Sequence, residues 1–482
     1  MVFSSAIFLF FFLPVVLAIY FVLPWRLKNM FLTAASIFFY AWGELAYVFV
    51  MLVSILFNYI FGLWIGREIN SQQNRAKTVL FLAVSGNLIL LAYYKYANFF
   101  VDSFNQLFLG LSLPAVELMP VHLPLGISFF TFHSISYLVD IYRKKAEAQR
   151  SLADMALYIS MFPQLVAGPI IRYHDVSKQI ISRYVNAELF ASGIQRFIIG
   201  LAKKVLIANT LGEIADQIFA LPAGEMSLST AWLGIVCYTL QIYFDFSGYS
   251  DMAIGLARMF GFHFLENFNY PYISRSIQEF WRRWHISLSN WFRDYLYIPL
   301  GGNKVSAWRV YVNLWIVFLL CGFWHGASWN FVIWGALHGC YLIIERLGLI
   351  KLLDKLWTPL PQIYVMLLVM IGWVFFKADD LPHAIDYLSA MFIGGNGMPS
   401  YVASRYLDTK AILMLGCGVI AATPLASNFF YKFSEYAQRG SLTYLAYPMF
   451  CFARVFLLIA LFYLCVLLIA AGTYNPFIYF RF

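Results

Sequence analysis

Charge is scarce in this sequence. Asp, Glu, Lys and Arg make up only 12% of its 482 residues, where a soluble domain carries about 25%. Hydrophobic residues reach 62% and the mean hydropathy is +0.71. Such a chain cannot clothe a water-facing surface, so the composition predicts an all-α polytopic membrane protein. Cysteine is also sparse. The six residues (Cys237, Cys321, Cys340, Cys417, Cys451, Cys465) lie in or beside apolar segments without a Cys-x-x-Cys pair. That argues against a disulfide framework or a zinc site, and no metal is expected. There is no Gly-x-Ser-x-Gly elbow, no Walker loop and no His-Glu-x-x-His, which removes the serine-hydrolase, ATPase and zinc-protease classes. No Lys or Arg precedes the apolar run from Ile7 to Leu23. The first span is therefore expected to be a retained helix rather than a cleavable signal. Repeats, low-complexity linkers and a separate soluble domain are absent too. The chain reads as one membrane domain, 1–482, with N-terminal spans (1–150), a core (151–350) and C-terminal spans with an aromatic tail (351–482).

What the sequence has in excess is aromatic residues, at 20%. Belts at both interfaces and an aromatic-lined cavity would account for them. The net charge of +9 comes from Lys and Arg scattered between apolar runs, the pattern of positive cytoplasmic loops rather than of nucleic-acid binding. Counting stretches of about 20 apolar residues and orienting them by short basic loops gives about twelve crossings with both termini outside the cytoplasm. Arg26–Lys28, Arg67–Lys77, Arg143–Lys145, Arg172–Arg183, the basic block 275–309 and Arg346–Lys355 mark the inner side. Residues 155–170 are short, apolar and broken by Pro163 and Pro169, and are expected to be re-entrant. Such backbone is tolerated at membrane depth only inside protein or beside a water-filled cavity.

Arg, Trp and His crowd together from Ile277 to Gly339. At 100° per residue Ile277, Trp281, Trp284, Leu288, Trp291 and Tyr295 form an apolar stripe; Arg283, Ser287, Asn290 and Asp294 form a polar one. The spacing predicts one amphipathic helix in the interface with its Trp residues at headgroup level. Plain membrane anchoring would explain that pattern. Alternatively Arg282, Arg283 and Arg293, with Trp281, meet a polyanionic ligand from the cytosol. His325 ends an apolar span between Gly322 and Gly326, where an ionisable group is costly and hence a functional candidate. Burial favours the neutral imidazole, whose free nitrogen can take a proton from a hydroxyl nucleophile. The plainer account is a ring satisfied by a neighbouring carbonyl. His338, His133 and His263 read as structural or interfacial. Asp245 and Asp251, inside a long apolar span, must be paired, protonated or wet, and bonding helix to helix suits them best. The tail Phe477-Ile478-Tyr479-Phe480-Arg481-Phe482 reads as an interfacial aromatic end, or as the carrier of an acyl ester on the Tyr479 hydroxyl.

Phe280-Trp281-Arg282-Arg283-Trp284-His285-Ile286-Ser287-Leu288-Ser289, continuing through Trp291 to Asn303, resembles the signature of bacterial membrane-bound O-acyltransferases, the alginate O-acetyltransferase branch in particular. Ala167-Gly168-Pro169, the run Tyr243 to Gly255, Trp324-His325-Gly326 and the aromatic tail are similar as well. The resemblance implies a ring of about 11–13 transmembrane helices, with re-entrant and interfacial pieces, around a thin central funnel. It implies acetyl-CoA as cytosolic donor substrate, with His325 at the position of the family's catalytic histidine and His285 at that of its second histidine. It further implies an extracytoplasmic SGNH-type transferase as partner and a polysaccharide as final acceptor, and it raises Tyr479 as the acyl carrier. The location implied is a bacterial inner membrane, among lipid, with no nucleic acid involved. Peptidoglycan or cellulose could replace an alginate-like polymer, and a D-alanyl donor is a more distant option. A reading of another class is a flippase or transporter for a lipid-linked substrate, which broken helices and buried polar residues also suit.

Overall fold

The structure is a computed structural model that describes residues 1–394, 401–439, 443–472 and 474–478. It is all-helical; among the described residues no strand forms, and a single isolated bridge joins Met226 to Tyr401. One continuous hydrophobic cluster reaches from Phe3 to Ile478.

Among the described residues five helices are long and apolar enough to cross a bilayer: Trp25–Glu68, Gln73–Gly110, Ala307–His325, Pro359–Lys377 and Ala446–Ala470. Thr409–Ala421 and Leu425–Gln438 add a sixth if their pair, bent by 66°, is one span. This membrane-protein character agrees with the composition, but the expected crossings are far from uniform. Trp25–Glu68 holds two of the expected spans and is broken at the 3-10 turn Leu45–Tyr47. Ile127–Tyr142 has 16 residues, or about 24 Å at 1.5 Å per residue, less than the roughly 30 Å of a bilayer core. Counting apolar residues cannot see such shortening, because a helix sheathed by protein need not match lipid thickness.

The centre is the 32-residue helix Leu228–Met259, buried almost without a break from Cys237 to Ala257. It lies against Ala187–Ala202 through glycine on both sides. A Cβ on Gly200 would come 2.5 Å from the Gly248 carbonyl oxygen, and one on Gly255 would come 2.6 Å from that of Gly193. Small residues at this spacing let two backbones touch, as membrane helix pairs require. The two carboxylates of the central helix are paired, as the sequence suggested. Asp251 meets Arg196 and Lys203, both at 2.7 Å, and Asp245 meets Lys204 at 2.7 Å. The stretch 155–170 is fully buried and breaks at Met161, between helices Leu152–Ser160 and Phe162–Leu165. Protein encloses it on all sides, the condition that irregular backbone needs at depth.

Candidate functional site

The segment expected to be a single interfacial helix is two short ones, Ile277–Arg283 and Ile286–Phe292. Between them His285 takes the left-handed conformation, φ 44° and ψ 53°, which costs a non-glycine residue about 1–2 kcal/mol. Nor does the segment lie in the interface. Trp281, Trp284 and Trp291 are buried, and so are Ser287 and Asp294 from the supposed polar face. Trp291 stacks on Phe132 at 3.7 Å, and the Trp281 indole donates to His338 Nδ1 at 3.3 Å. The apolar stripe was a sound reading of burial, but its partner is protein, not lipid headgroups.

That break carries the site. The His285 ring centroid lies 6.4 Å from that of His325, the last residue of helix Ala307–His325. His285 is fully buried and His325 is 4% exposed. His325 faces a small cavity, with room for about one water molecule, lined with Trp284, Trp334, Trp373, Phe376, Ile242, Phe246 and Ile478. Its ring meets Trp324, Trp334 and Phe376 at 4.9 to 5.3 Å. His285 stands behind Phe246, edge-on at 4.6 Å.

Three ring nitrogens here have no hydrogen-bond partner among the described residues: His325 Nδ1, His325 Nε2 and His285 Nε2. A buried polar group left unpaired costs about 1–3 kcal/mol, so a ring with two unpaired nitrogens at a small cavity, beside a second ring with one, suits a polar guest. The account in which a carbonyl satisfies His325 finds no support. The fourth nitrogen, His285 Nδ1, lies 3.2 Å from Asn267 Oδ1. The same oxygen receives the Ser287 backbone N–H at 3.1 Å and its hydroxyl at 2.9 Å. A backbone N–H can only donate, so oxygen must stand at this position of the Asn267 amide. His285 Nδ1 must then carry the proton, which leaves Nε2 as a bare acceptor. Ser287 Oγ in turn accepts the Ile170 N–H at 2.9 Å, which ties the Ala167-Gly168-Pro169 turn to the same chain of bonds.

Lys95 belongs to the site and was missed. It sits in the π-helical turn Ala92–Tyr96, is 8% exposed, and donates to the carbonyl oxygens of Trp324 and, at 3.4 Å, His325. Ser128 Oγ is 3.3 Å away, and among the described residues no carboxylate pairs with this ammonium. A cation at a helix C-terminus satisfies its last carbonyls and complements its dipole, so Lys95 fixes the helix end from which His325 projects. The sequence signal was present: a lysine closing an apolar span deserved the scrutiny given to His325.

Helix Ala307–His325 also depends on close contact with its return helix, Trp329–Ile344. A Cβ on Gly322 would lie 2.2 Å from the Phe331 carbonyl oxygen. His133 and His338 each have one ring nitrogen paired, His133 Nε2 accepting the Ile171 N–H at 3.3 Å and His338 Nδ1 accepting from Trp281, while the other nitrogen has no partner among the described residues.

The expected donor-binding residues are not gathered with the histidines. Arg283 pairs with Glu279 at 2.8 Å and Arg293 with Asp294 at 2.8 Å. Arg282 is exposed, with no ion pair among the described residues. Trp281 belongs to the packing around His338. Arg172 also reaches Asp294, at 2.5 Å. Burial alone would raise the Asp294 carboxyl, but the Arg293 bond and charge, with Arg172 and Lys145, outweigh it and hold the group below the usual carboxylate range. Tyr479 lies outside the described residues, although its neighbour Ile478 lines the His325 cavity. Among the described residues no cluster of His, Cys, Asp or Glu could hold a metal ion.

Two buried imidazoles side by side, one of them at an aromatic cavity, suit proton transfer. Residues 121–376 match the MBOAT, membrane-bound O-acyltransferase family. A probable alginate O-acetylase of Azotobacter vinelandii is 44% identical over the full length of both chains. The peptidoglycan O-acetyltransferase of Helicobacter pylori is 38% identical, covering 88% of this chain and 86% of its own. The teichoic acid D-alanyltransferase of Bacillus subtilis is 30% identical over 54% of this chain and 70% of its own. The chain therefore belongs to the membrane-bound O-acyltransferase family and is an O-acyltransferase.

Proposed function

We propose that this O-acyltransferase takes acetyl from cytosolic acetyl-CoA and passes it across a bacterial inner membrane, for O-acetylation of an alginate-like exopolysaccharide outside. The observation that carries this reading is the pair of imidazoles, 6.4 Å apart with three nitrogens unpartnered among the described residues, of which His325 faces an aromatic cavity. His325 acts as general base. As the hydroxyl oxygen of the acyl acceptor attacks the thioester carbonyl, its proton moves to a His325 nitrogen. The tetrahedral intermediate then expels the CoA thiolate, which takes the proton back as thiol. His285, with Nδ1 protonated toward Asn267, offers Nε2 as a second acceptor and steadies the imidazolium. The cavity has room for little more than a water molecule, so its aromatic lining must part to admit an acetyl group, and CoA must lie outside it.

Arg282 is the residue best placed to meet the phosphates of CoA, being exposed and unpaired; Arg283 and Arg293 would have to release carboxylates first. The Tyr479 hydroxyl is the first acceptor in this scheme, forming a phenyl ester that an extracytoplasmic SGNH-type transferase then discharges onto the polymer. Both termini lie outside the cytoplasm, as the basic loops suggest. The alginate-like polymer is favoured because the full-length relatives at 44% and 42% identity carry that name. Labelled acetyl-CoA given to purified protein tests the scheme. Label should appear on the wild-type chain with release of CoA; Tyr479→Phe, lacking the attacking hydroxyl, should gain no label and release CoA only as slowly as water hydrolyses the thioester. A flippase would acquire no label and release no CoA.

A further inference from the structure

Residues 474–477 form no helix or strand, and the segment becomes buried at Phe477 and Ile478, where irregular backbone needs outside partners. Each described residue from Tyr474 to Ile478 has an anchor. The Tyr474 hydroxyl donates to Asp216, itself paired with Lys377. Asn475 donates to the Ser4 carbonyl at 3.2 Å and accepts from Asn209 at 3.1 Å. Phe477 stacks on Tyr249 at 4.8 Å. The deepest anchor is the ion pair Lys204–Asp245, 4% and 2% exposed, at 2.7 Å. Lys204 Nζ donates to the Pro476 carbonyl, and Asp245 Oδ2 accepts the Ile478 N–H at 2.9 Å.

A contrast on the same helix separates this pair from ordinary helix-to-helix bonding. Asp251 is held by Arg196 and Lys203, and neither it nor its partners bonds the described tail. Lys204 and Asp245 instead give one donor and one acceptor to the tail's backbone, at the two residues that bring it to the cavity. Ile478 then lines the cavity that His325 faces.

We infer that Lys204 and Asp245 are positioning residues: together they seat the C-terminal segment at the His325 cavity for acyl transfer. The inference rests on the acyl-transfer reading of that cavity. Because the contacts are to backbone atoms, they fix where the tail runs whatever side chains it carries. Polarity matters as well as charge. Reversing the pair would keep the attraction but set a carboxylate against the Pro476 carbonyl.

The test is hydrogen exchange of the C-terminal peptide in full-length protein, read by mass, beside CoA release and acetyl transfer. The double variant K204M/D245L removes both charges with apolar residues of similar size, so no lone charge is left buried. K204R keeps the donor, and D251N serves as the control at the other ion-pair site. In K204M/D245L the tail should exchange at least about tenfold faster, as a locally opened segment does, with the rest of the chain unchanged. Acetyl transfer should be lost, and with it the CoA release that depends on attack by the acceptor; K204R should behave as wild type, and D251N should leave the tail protected. A tail that stays protected in K204M/D245L overturns the inference, as does faster exchange spread evenly through the protein. A wild-type protein that releases no CoA would remove the acyl-transfer reading, while the exchange arm still decides whether the pair seats the tail.

Discussion

Replacing Asn267 by alanine tests whether His285 is held in one tautomer for a purpose. Asn267 Oδ1 takes three donors: His285 Nδ1–H at 3.2 Å, the Ser287 N–H at 3.1 Å and the Ser287 hydroxyl at 2.9 Å. The hydroxyl can rotate elsewhere, but the other two donors are buried and lose their acceptor. At about 1–3 kcal/mol for each unmet buried group, the substitution should destabilise the protein by roughly 2–5 kcal/mol. Part of that is recovered if a water fills the space of the amide. Catalysis should suffer by a separate route. Without Asn267 nothing requires the proton on Nδ1, so Nε2 is no longer a bare acceptor in every molecule. If the lost orientation is worth about 1.4–2.8 kcal/mol in the transition state, the rate falls about 10- to 100-fold. The assay is CoA release by purified protein, well below its unfolding temperature, with kcat and KM measured separately. The expectation is a fall in kcat with KM little changed. A variant that melts earlier yet turns over at the wild-type rate would show that the amide supports the fold and nothing else.

Other expectations follow from the same contacts. Lys95→Met should lower the transfer rate by about tenfold, since it frees the helix end bearing His325, while Lys95→Arg should recover much of it; circular dichroism checks that helix content is kept. Gly322→Val should cost at least about 1–3 kcal/mol by overpacking against the Phe331 carbonyl and cut the yield of folded protein, measured by detergent-resistant monodispersity. Arg282→Gln should raise KM for acetyl-CoA with kcat unchanged, whereas Arg283→Gln should act mainly on stability through its Glu279 pair. Asp294→Asn should lower Tm at neutral pH. The folded carboxyl sits below its ordinary value, so its contribution is present above the unfolded pKa, about 4, and is lost as pH falls through the folded one. The Tm gap between wild type and variant should therefore close in acid.

The two histidines were legible because each is embedded in a motif of unusual residues, and burial could be argued from span position alone. What made them one site was not legible. Asn267 fixes the His285 tautomer from 18 residues away, and Lys95 reaches Trp324 across 229 residues; no periodicity encodes either contact. The break between Trp284 and His285 was invisible for a different reason. Neither glycine nor proline marks it, and the left-handed conformation at His285 is imposed by tertiary bonds to Asn267, including the Ile286 N–H to its carbonyl at 2.9 Å. The apolar stripe survived because it reports burial, which both one helix and two would satisfy. The spans differ in length, since apolar length says nothing about which helices are shielded from lipid by other helices.

The central claim is that His285 and His325 act on one reaction at one cavity, and a double-mutant cycle on the rate of CoA release tests it most directly. Groups that serve the same transition state are strongly non-additive. The account predicts that His325→Ala abolishes most of the rate, that His285→Ala costs less, and that the double variant is no slower than His325→Ala alone. Losses that multiply, or a His325→Ala protein that still releases CoA at the wild-type rate, would contradict it.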